Sequence, residues 1–428
     1  MMKKTTLALA ISAAAMAATP AFATNGDALI GLGAQSRALG GTGTAAFYGS
    51  ENALTNPALL VKAKKTEISF GGTLFKPSVN TGYPAMNYDH TSKADTNVIP
   101  EISIVNPDGG QWAWGIGMFG SAGMGVDHSG EAYLMQARST LQLMKFVPSI
   151  AFNVGNGLSL GGGVVLQYGA LDINYKMNAD DSADGSQEYN VGSGMDQDFG
   201  LGFILGAAFD LNDNLTLGVS YDSPITMTYK GQLSTASQPF VNFGLFPSAM
   251  SDKLEQPAVL GAGIAYTTGP WMATVDYKNI KWGDAKGYKE FGWEDQSVVA
   301  LGVKYTGAGY WLGAGFNHGS NPIKKNSAAG FLTPGTASAA GATLNMFNYL
   351  FFPATVENHF TLGGGYKVSS KMTVDAAITY APEVSDTVSA LGFANANDGN
   401  PLNNQPVAID LKTKHSQLGY TVSLRYEF

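Results

Sequence analysis

Five histidines are the only imidazoles this chain can offer as a general base: His90, His128, His318, His359 and His415. Hydrolysis needs one of them set beside a serine nucleophile or a pair of acids. His318 comes nearest, two residues before Ser320, but Asn317-His318-Gly319-Ser320-Asn321 reads as the exit of a strand. There is no cysteine, which removes thiol catalysis, disulfides and cysteine metal sites. The glycines that begin at Gly31 follow no strand and precede no lysine in the place a phosphate-binding loop requires. A net charge of −8 without a basic run leaves nothing to neutralise nucleic-acid phosphates. The sequence therefore predicts no catalytic residue, no metal, no cofactor and no nucleic-acid partner.

What remains is the chemistry of apolar binding. Phe240, Phe243, Leu245, Phe246 and Met250 cluster inside an otherwise polar connection, Gly231 to Gln256. Met346, Phe347, Tyr349, Leu350, Phe351 and Phe352 enrich a second, Ser320 to Glu357. Apolar clusters in connections expected to face water mark a binding surface for hydrophobic ligands, unless the connection folds inward onto its neighbours.

The elements that carry these connections read as one large closed sheet. Lys3 and Lys4, the apolar run Leu7 to Ala18, Pro20 and then Ala21-Phe22-Ala23 have the layout of a secretory signal peptide, with cleavage expected after Ala23. No later apolar run is long enough for a transmembrane helix. From Thr66 onward, apolar and polar residues alternate in stretches of about ten, the length of a membrane-spanning strand. In one such stretch Trp271, Ala273, Val275 and Tyr277 share a face, with Thr274, Asp276 and Lys278 on the other. A soluble sandwich alternates too, so the connections decide.

Tight turns are expected at 106–109, 156–157, 212–214, 268–270, 306–309 and 369–370. Between them lie long connections such as Pro77 to Thr96 and Asn174 to Asp196. Short and long connections take turns along the chain, as in an up-and-down barrel with short periplasmic turns and long external loops. The count reaches about fourteen strands, all antiparallel, in an all-β transmembrane barrel. Tyr266, Tyr305 and Tyr366 should end inward-running strands, and Tyr221 and Tyr380 outward-running ones, which would form two interfacial aromatic girdles. A barrel this wide needs a plug, and the Gly- and Ala-rich segment 24–62, without a lasting period of two, is the natural hatch. The expected division is thus a signal peptide (1–23), a hatch (24–62) and a barrel (63–428).

Gly31-Leu32-Gly33, Gly40-Gly41-Thr42-Gly43 and Asn52-Ala53-Leu54-Thr55-Asn56-Pro57-Ala58-Leu59 resemble the hatch of the FadL long-chain fatty acid transporter family. Asn56, Pro57 and Ala58 match that family's hatch motif. Tyr221 through Gly231 is similar to its seventh strand, Phe240 through Pro247 to the apolar loop after it, and Lys289 through Gly302 to its tenth-strand region. A final strand bearing Tyr426 and the terminal Phe428 resembles the signal read by the barrel assembly machinery.

The resemblance implies a monomer in the bacterial outer membrane that takes up long-chain fatty acids. Ligand would land in a groove between the third and fourth external loops, enter the barrel, and leave sideways where the third strand is kinked. The kink falls on Gly120, Ser121, Ala122, Gly123 and Gly125. Lys289 matches one of the basic positions that meet the ligand head group, but Ala170 stands where a second, an arginine, is expected. That loss admits aromatic or other neutral hydrocarbons as the alternative cargo. A passive porin and, last, an outer-membrane hydrolase are the readings outside the family.

Overall fold

The computed structural model describes residues 24–178, 188–246, 248–395 and 404–428. The expected signal peptide and its cleavage site lie outside the described residues, as does Pro247. Fourteen long strands follow one another around a closed antiparallel barrel. In chain order they are β1 (Glu67–Tyr83), β2 (Asn97–Asp108), β3 (Trp112–Asp127), β4 (Arg138–Gly155) and β5 (Leu158–Asn178). Next come β6 (Asp196–Asn212), β7 (Leu215–Asp222), β8 (Val259–Thr268), β9 (Trp271–Ile280) and β10 (Gln296–Gly307). The last four are β11 (Tyr310–Gly319), β12 (Asn358–Lys367), β13 (Met372–Asn395) and β14 (Asn404–Glu427). Closure comes from β14, which pairs with β13 on one side and β1 on the other. All six expected tight turns join strands at one end of the barrel.

Alternation along each strand separates two environments. On β6, Phe199, Leu201, Phe203, Leu205, Phe209 and Leu211 are exposed, whereas Ile204 and Ala208 face inward and are buried. Such exposed rows recur around the barrel and would be untenable in water; they form a lipid-facing belt. Aromatic residues edge it. Near the short turns the Trp271 and Tyr305 rings lie 5.0 Å apart, as do those of Tyr426 and Phe428. Toward the long loops Tyr168 meets Phe199 at 5.4 Å and Phe316 meets Phe360 at 5.3 Å.

Two sequence expectations shift. The connection placed at Pro77 to Thr96 starts later, because β1 continues to Tyr83 and pairs with β14 as far as Gly82. Tyr380 sits in mid-strand: β13 and β14 run past the belt as a long hairpin, bent by a bulge between Ala381 and Val384. Polar residues in that extension masked the continued pairing.

The segment 24–62 lies inside the barrel. It forms a small strand pair (Thr24–Asn25 with Ala28–Leu29), a helix (Gly33–Ala38), a helical turn (Asn52–Thr55) and a 3-10 helix (Pro57–Lys62). Inward side chains of many strands hold it. Asp276 of β9 accepts from the Gly43 and Thr44 backbone N–H groups, 2.8 Å each. Asn317 donates to the Gly40 carbonyl, and Arg37 forms a fully buried ion pair with Glu101 of β2. Breaking such a pair by removing one partner typically costs about 3–5 kcal/mol.

Glycines on the strands make the necessary room. A Cβ on Gly218 would collide with the Thr44 oxygen, and one on Gly161 with the Ala58 nitrogen. In the Asn56-Pro57-Ala58 motif, the Asn56 carboxamide caps the 3-10 helix by accepting from Ala58 N–H. Its Nδ2 donates to the carbonyls of Thr44 (2.7 Å), Ala207 (3.1 Å) and Val219 (3.3 Å), tying the segment to β6 and β7.

Candidate ligand pathway

Beyond the long-loop end, the loops between β7 and β8, β9 and β10, and β11 and β12 share one hydrophobic core. Phe240, Leu245, Phe246 and Met250 are buried in it, so most of the cluster expected to face water packs inward instead. The helix Leu233–Asn242 explains this: Leu233, Ala236 and Phe240 lie on one of its faces and are buried. Phe240 stacks near Tyr175 and Phe347, with ring centres 5.9 and 5.2 Å away. Phe243 alone of the five stays outside, 51% exposed.

The outer face of the same helix borders a groove of about 500 Å³ against the strand Glu188–Val191. It lies between the third and fourth external loops, with Tyr189, Val191, Pro239 and Phe243 as its apolar lining and Asn190, Ser234 and Gln238 among its polar groups.

Beneath the helix, inside the barrel mouth, is a small apolar pocket. Met124 of β3, Leu141 of β4 and Leu171 of β5 form one wall. Leu233, Leu254, Phe352 and the aromatic trio Tyr288, Phe291 and Trp293 form the rest. No charged side chain lines it among the described residues. Its polar groups already have partners: Asn348 bonds Trp293 and the Phe291 carbonyl, and Tyr288 donates to Asp27. The free space is only about 20 Å³, room for about one water. Any larger guest must move a lining side chain.

Met124, in the pocket wall, belongs to β3 just beyond a break in the barrel wall. β2 and β3 pair from Asp108 opposite Trp112 up to Glu101 opposite Phe119, and there the ladder ends. β2 continues along β1 to Asn97, but β3 turns away. Ser121 is the extra residue of a bulge: Gly120 faces Met144 on β4, and the next match is Ala122 with Leu143. A Cβ on Gly125 would collide with the Ser139 backbone oxygen, and one on Gly120 would press on the Ile99 Cγ2 methyl at 2.6 Å. Gly120, Ser121, Ala122, Gly123 and Gly125 follow directly on Phe119, where the pairing of β3 with β2 ends.

The N-terminal segment fills that break. Ala28 pairs with Ala122, and the Gly123 N–H donates to the Asp27 carbonyl at 3.0 Å. The Asp27 carboxylate turns up toward the pocket, where it accepts from Tyr288 and, at 2.9 Å, from Gln256. Burial pushes its pKa up to about 6, against the lowering effect of these donors and of Lys145. Asp27 therefore joins three parts: the pocket through Tyr288, the kinked strand through Gly123, and the lumenal segment to which it belongs.

The remaining expected residues fall elsewhere. Lys289 does not line the pocket; it is 45% exposed, with Nζ 3.8 Å from Glu290. Ala170 is buried beside the pocket wall and supplies no charge. His318 Nδ1 is 2.9 Å from the Asn358 amide oxygen, while the Ser320 hydroxyl accepts from Ser297 N–H, so the two do not form a catalytic pair. Among the described residues, no group of three or more acids and histidines is placed to hold a metal. Phe428 remains exposed, its N–H on the Thr66 carbonyl, at the seam where β14 closes on β1.

Sequence reasoning missed the pocket. The run Lys281 to Trp293 carries Trp282, Tyr288, Phe291 and Trp293, a density of aromatics in a connection that was itself the available signal. Asp27 gave none, because nothing in its neighbours foretells burial.

Comparison with known proteins agrees with this architecture. A curated protein of Chlorobium limicola, named only as uncharacterized, is 36% identical over 108 residues, 25% of this chain; the match spans about half (51%) of that relative. The "Long-chain fatty acid transport protein" of Escherichia coli is 22% identical over 381 residues, covering 76% of this chain and 84% of its own length. The solved structure of the Pseudomonas putida toluene transporter TodX has a TM-score of 0.64 at 18% identity, covering 93% of this chain and 99% of TodX. The family described as "Outer membrane protein transport protein (OMPP1/FadL/TodX)" matches residues 8–428. The chain belongs to this family of outer-membrane β-barrels that transport hydrophobic substrates.

Proposed function

We propose that this barrel carries compact, uncharged hydrocarbons, aromatic ones above all, into the cell by a sideways route. They enter at the groove beside Phe243, pass under the helix Leu233–Asn242 into the apolar pocket, and leave through the β2–β3 break. In this reading residues 24–62 act as a hatch, of which only the first few, Thr24 to Leu29, need to move. Asn56, Pro57 and Ala58 anchor the rest. Residues 1–23 serve as a cleaved signal peptide, Tyr426 and Phe428 as the signal to the assembly machinery, and the barrel works as a monomer within outer-membrane lipid.

The observation that carries this reading is an uncharged pocket lined by Met124 of β3, five residues beyond the point where β3 stops pairing with β2. A carboxylate placed there would have no cation to replace its hydration, a severe penalty among apolar side chains. The toluene transporter among the similar structures is consistent with that preference.

A long-chain fatty acid is the second reading, favoured by one residue. Lys145 faces inward on β4, opposite Phe119 at the start of the kink, and makes no ion pair among the described residues. A carboxylate could meet it with the acyl chain lying up the pocket. Lys289 is the weaker candidate for that role, being outside the pocket.

Tryptophan fluorescence of the detergent-solubilised barrel separates the two. Saturable binding of toluene, unchanged in Lys145→Gln and Lys289→Ala, supports the hydrocarbon reading. Binding of oleate that weakens in Lys145→Gln, with indifference to toluene, replaces it with the fatty acid.

A further inference from the structure

We propose that the short-turn end of the barrel holds a second ligand site, separate from the uptake route, for a compact aromatic carboxylate. The cavity there has a volume of about 430 Å³, within the range of small-molecule sites. It lies between the end of the lumenal segment and the lower parts of β10, β11, β12 and β14. The whole of segment 24–62 stands between it and the apolar pocket, so no molecule using the lateral exit would pass through it.

Its charges do not balance. Lys62 is paired with Asp210 at 2.6 Å, and Lys65 with Glu427 at 3.3 Å. Arg425 is held by Asp375 at 2.5 Å and Glu67 at 3.6 Å. That accounts for both acids in the cavity lining, Glu67 and Glu427. Lys64, Lys304 and Lys367 also line the cavity, and none has a carboxylate within ion-pair distance among the described residues. Because Arg425 is shared by two carboxylates, the surplus around the concavity is two positive charges; they attract an anion, most strongly where water is restricted.

Lys304 is the innermost of them. Its ammonium donates to the Gln35 amide oxygen at 3.0 Å, which leaves two N–H groups free. It also lies 5.7 Å from the Tyr48 ring centre and 5.9 Å from that of Trp311. These rings hold the ammonium by cation–π attraction, and with Phe47 they give the cavity flat apolar walls. A carboxylate that reached Lys304 would bring its body between aromatic faces. A planar ring fits them; a fully hydrated phosphate would have to shed water against them without compensation. Lys64 and Lys367 at the rim would steer the anion inward.

Isothermal titration of sodium benzoate into the detergent-solubilised full-length barrel tests this, with sodium phosphate and toluene as the other titrants. The expected result is saturable benzoate binding that Lys304→Met weakens by roughly tenfold or more, the loss of one charge-assisted hydrogen bond. Because Lys304→Met could disturb the packing on Gln35, the rim variant Lys64→Gln/Lys367→Gln is measured beside it. It should retain the fold and lower benzoate affinity by a smaller factor. Absence of benzoate binding, equal affinity in all variants, or phosphate binding as tightly as benzoate would each overturn the proposal. Toluene binding at the upper pocket should be the same in every variant.

Discussion

Replacing Asp27 by asparagine isolates the electrostatics of the proposed lateral gate. The carboxylate is fully buried, and its pKa rises from 3.8 to about 6 when the N-terminal segment is seated. A pKa raised on docking means that the ionised form disfavours the docked state. The segment is therefore held best below pH 3.8, loses hold as pH climbs toward about 6, and is weakest above that. The difference of about two pKa units corresponds to about 3 kcal/mol, or on the order of a hundredfold in the opening equilibrium. The asparagine would keep an acceptor for Tyr288 and Gln256 but carry no charge. At pH 7 it should hold the gate shut about a hundredfold more firmly than the native residue. Hydrogen exchange of the peptide spanning Gly123, whose N–H donates to the Asp27 carbonyl, reads this directly. Comparing both proteins at the same pH cancels the intrinsic exchange rate. Protection should be much higher in Asp27→Asn at pH 7 and nearly equal at pH 4, with hydrocarbon uptake at pH 7 slowed in the variant. Equal protection at pH 7, or faster uptake by the variant, refutes the reasoning.

Other perturbations follow from the same contacts. Asn56→Ala removes the cap of Pro57–Lys62 and strands the Thr44 carbonyl, so urea unfolding in micelles should show a loss of roughly 2–4 kcal/mol. Gly218→Val drives a branched side chain into the Thr44 oxygen; the lumenal segment should fail to seat, and planar-bilayer conductance should rise above the native background. Phe243→Ser alters the one exposed member of the Phe240–Met250 apolar cluster; on the proposed route uptake at low ligand concentration should fall while the thermal midpoint stays unchanged.

The barrel was legible because its signals are local and repeated. Each turn such as Asn156-Gly157 announces itself by residue type, and each strand by a period of two. Tyr266, Tyr305 and Tyr366 near the short turns followed from the same period, whereas Tyr380 falls in mid-strand because its hairpin continues. The glycines at 120, 123 and 125 are visible in the sequence, but the end of the β2–β3 pairing at Phe119 is not. Nor was the interior legible. Phe240, Phe246 and Met250 look alike whether a loop faces water or folds inward, and only the opposing Tyr175, Phe291 and Phe347 decide it. Lys289 matches a basic position of the resembled family, yet its neighbour Tyr288 is the residue that lines the pocket. Asp27 joins Gln256 and Tyr288 across more than two hundred residues, and no pattern along the chain encodes that meeting.

The central claim is that substrate leaves through the wall between β2 and β3, and a reversible seam tests it most directly. The chain has no cysteine, so Ile99→Cys with Gly120→Cys introduces a single disulfide-forming pair across the break. Ile99 Cγ2 is 2.6 Å from where the Gly120 Cβ would stand, close enough for the two thiols to join with modest adjustment. Toluene uptake should stop in the oxidised protein and return on reduction. Uptake that proceeds at the same rate in both states would mean that the cargo takes another way out.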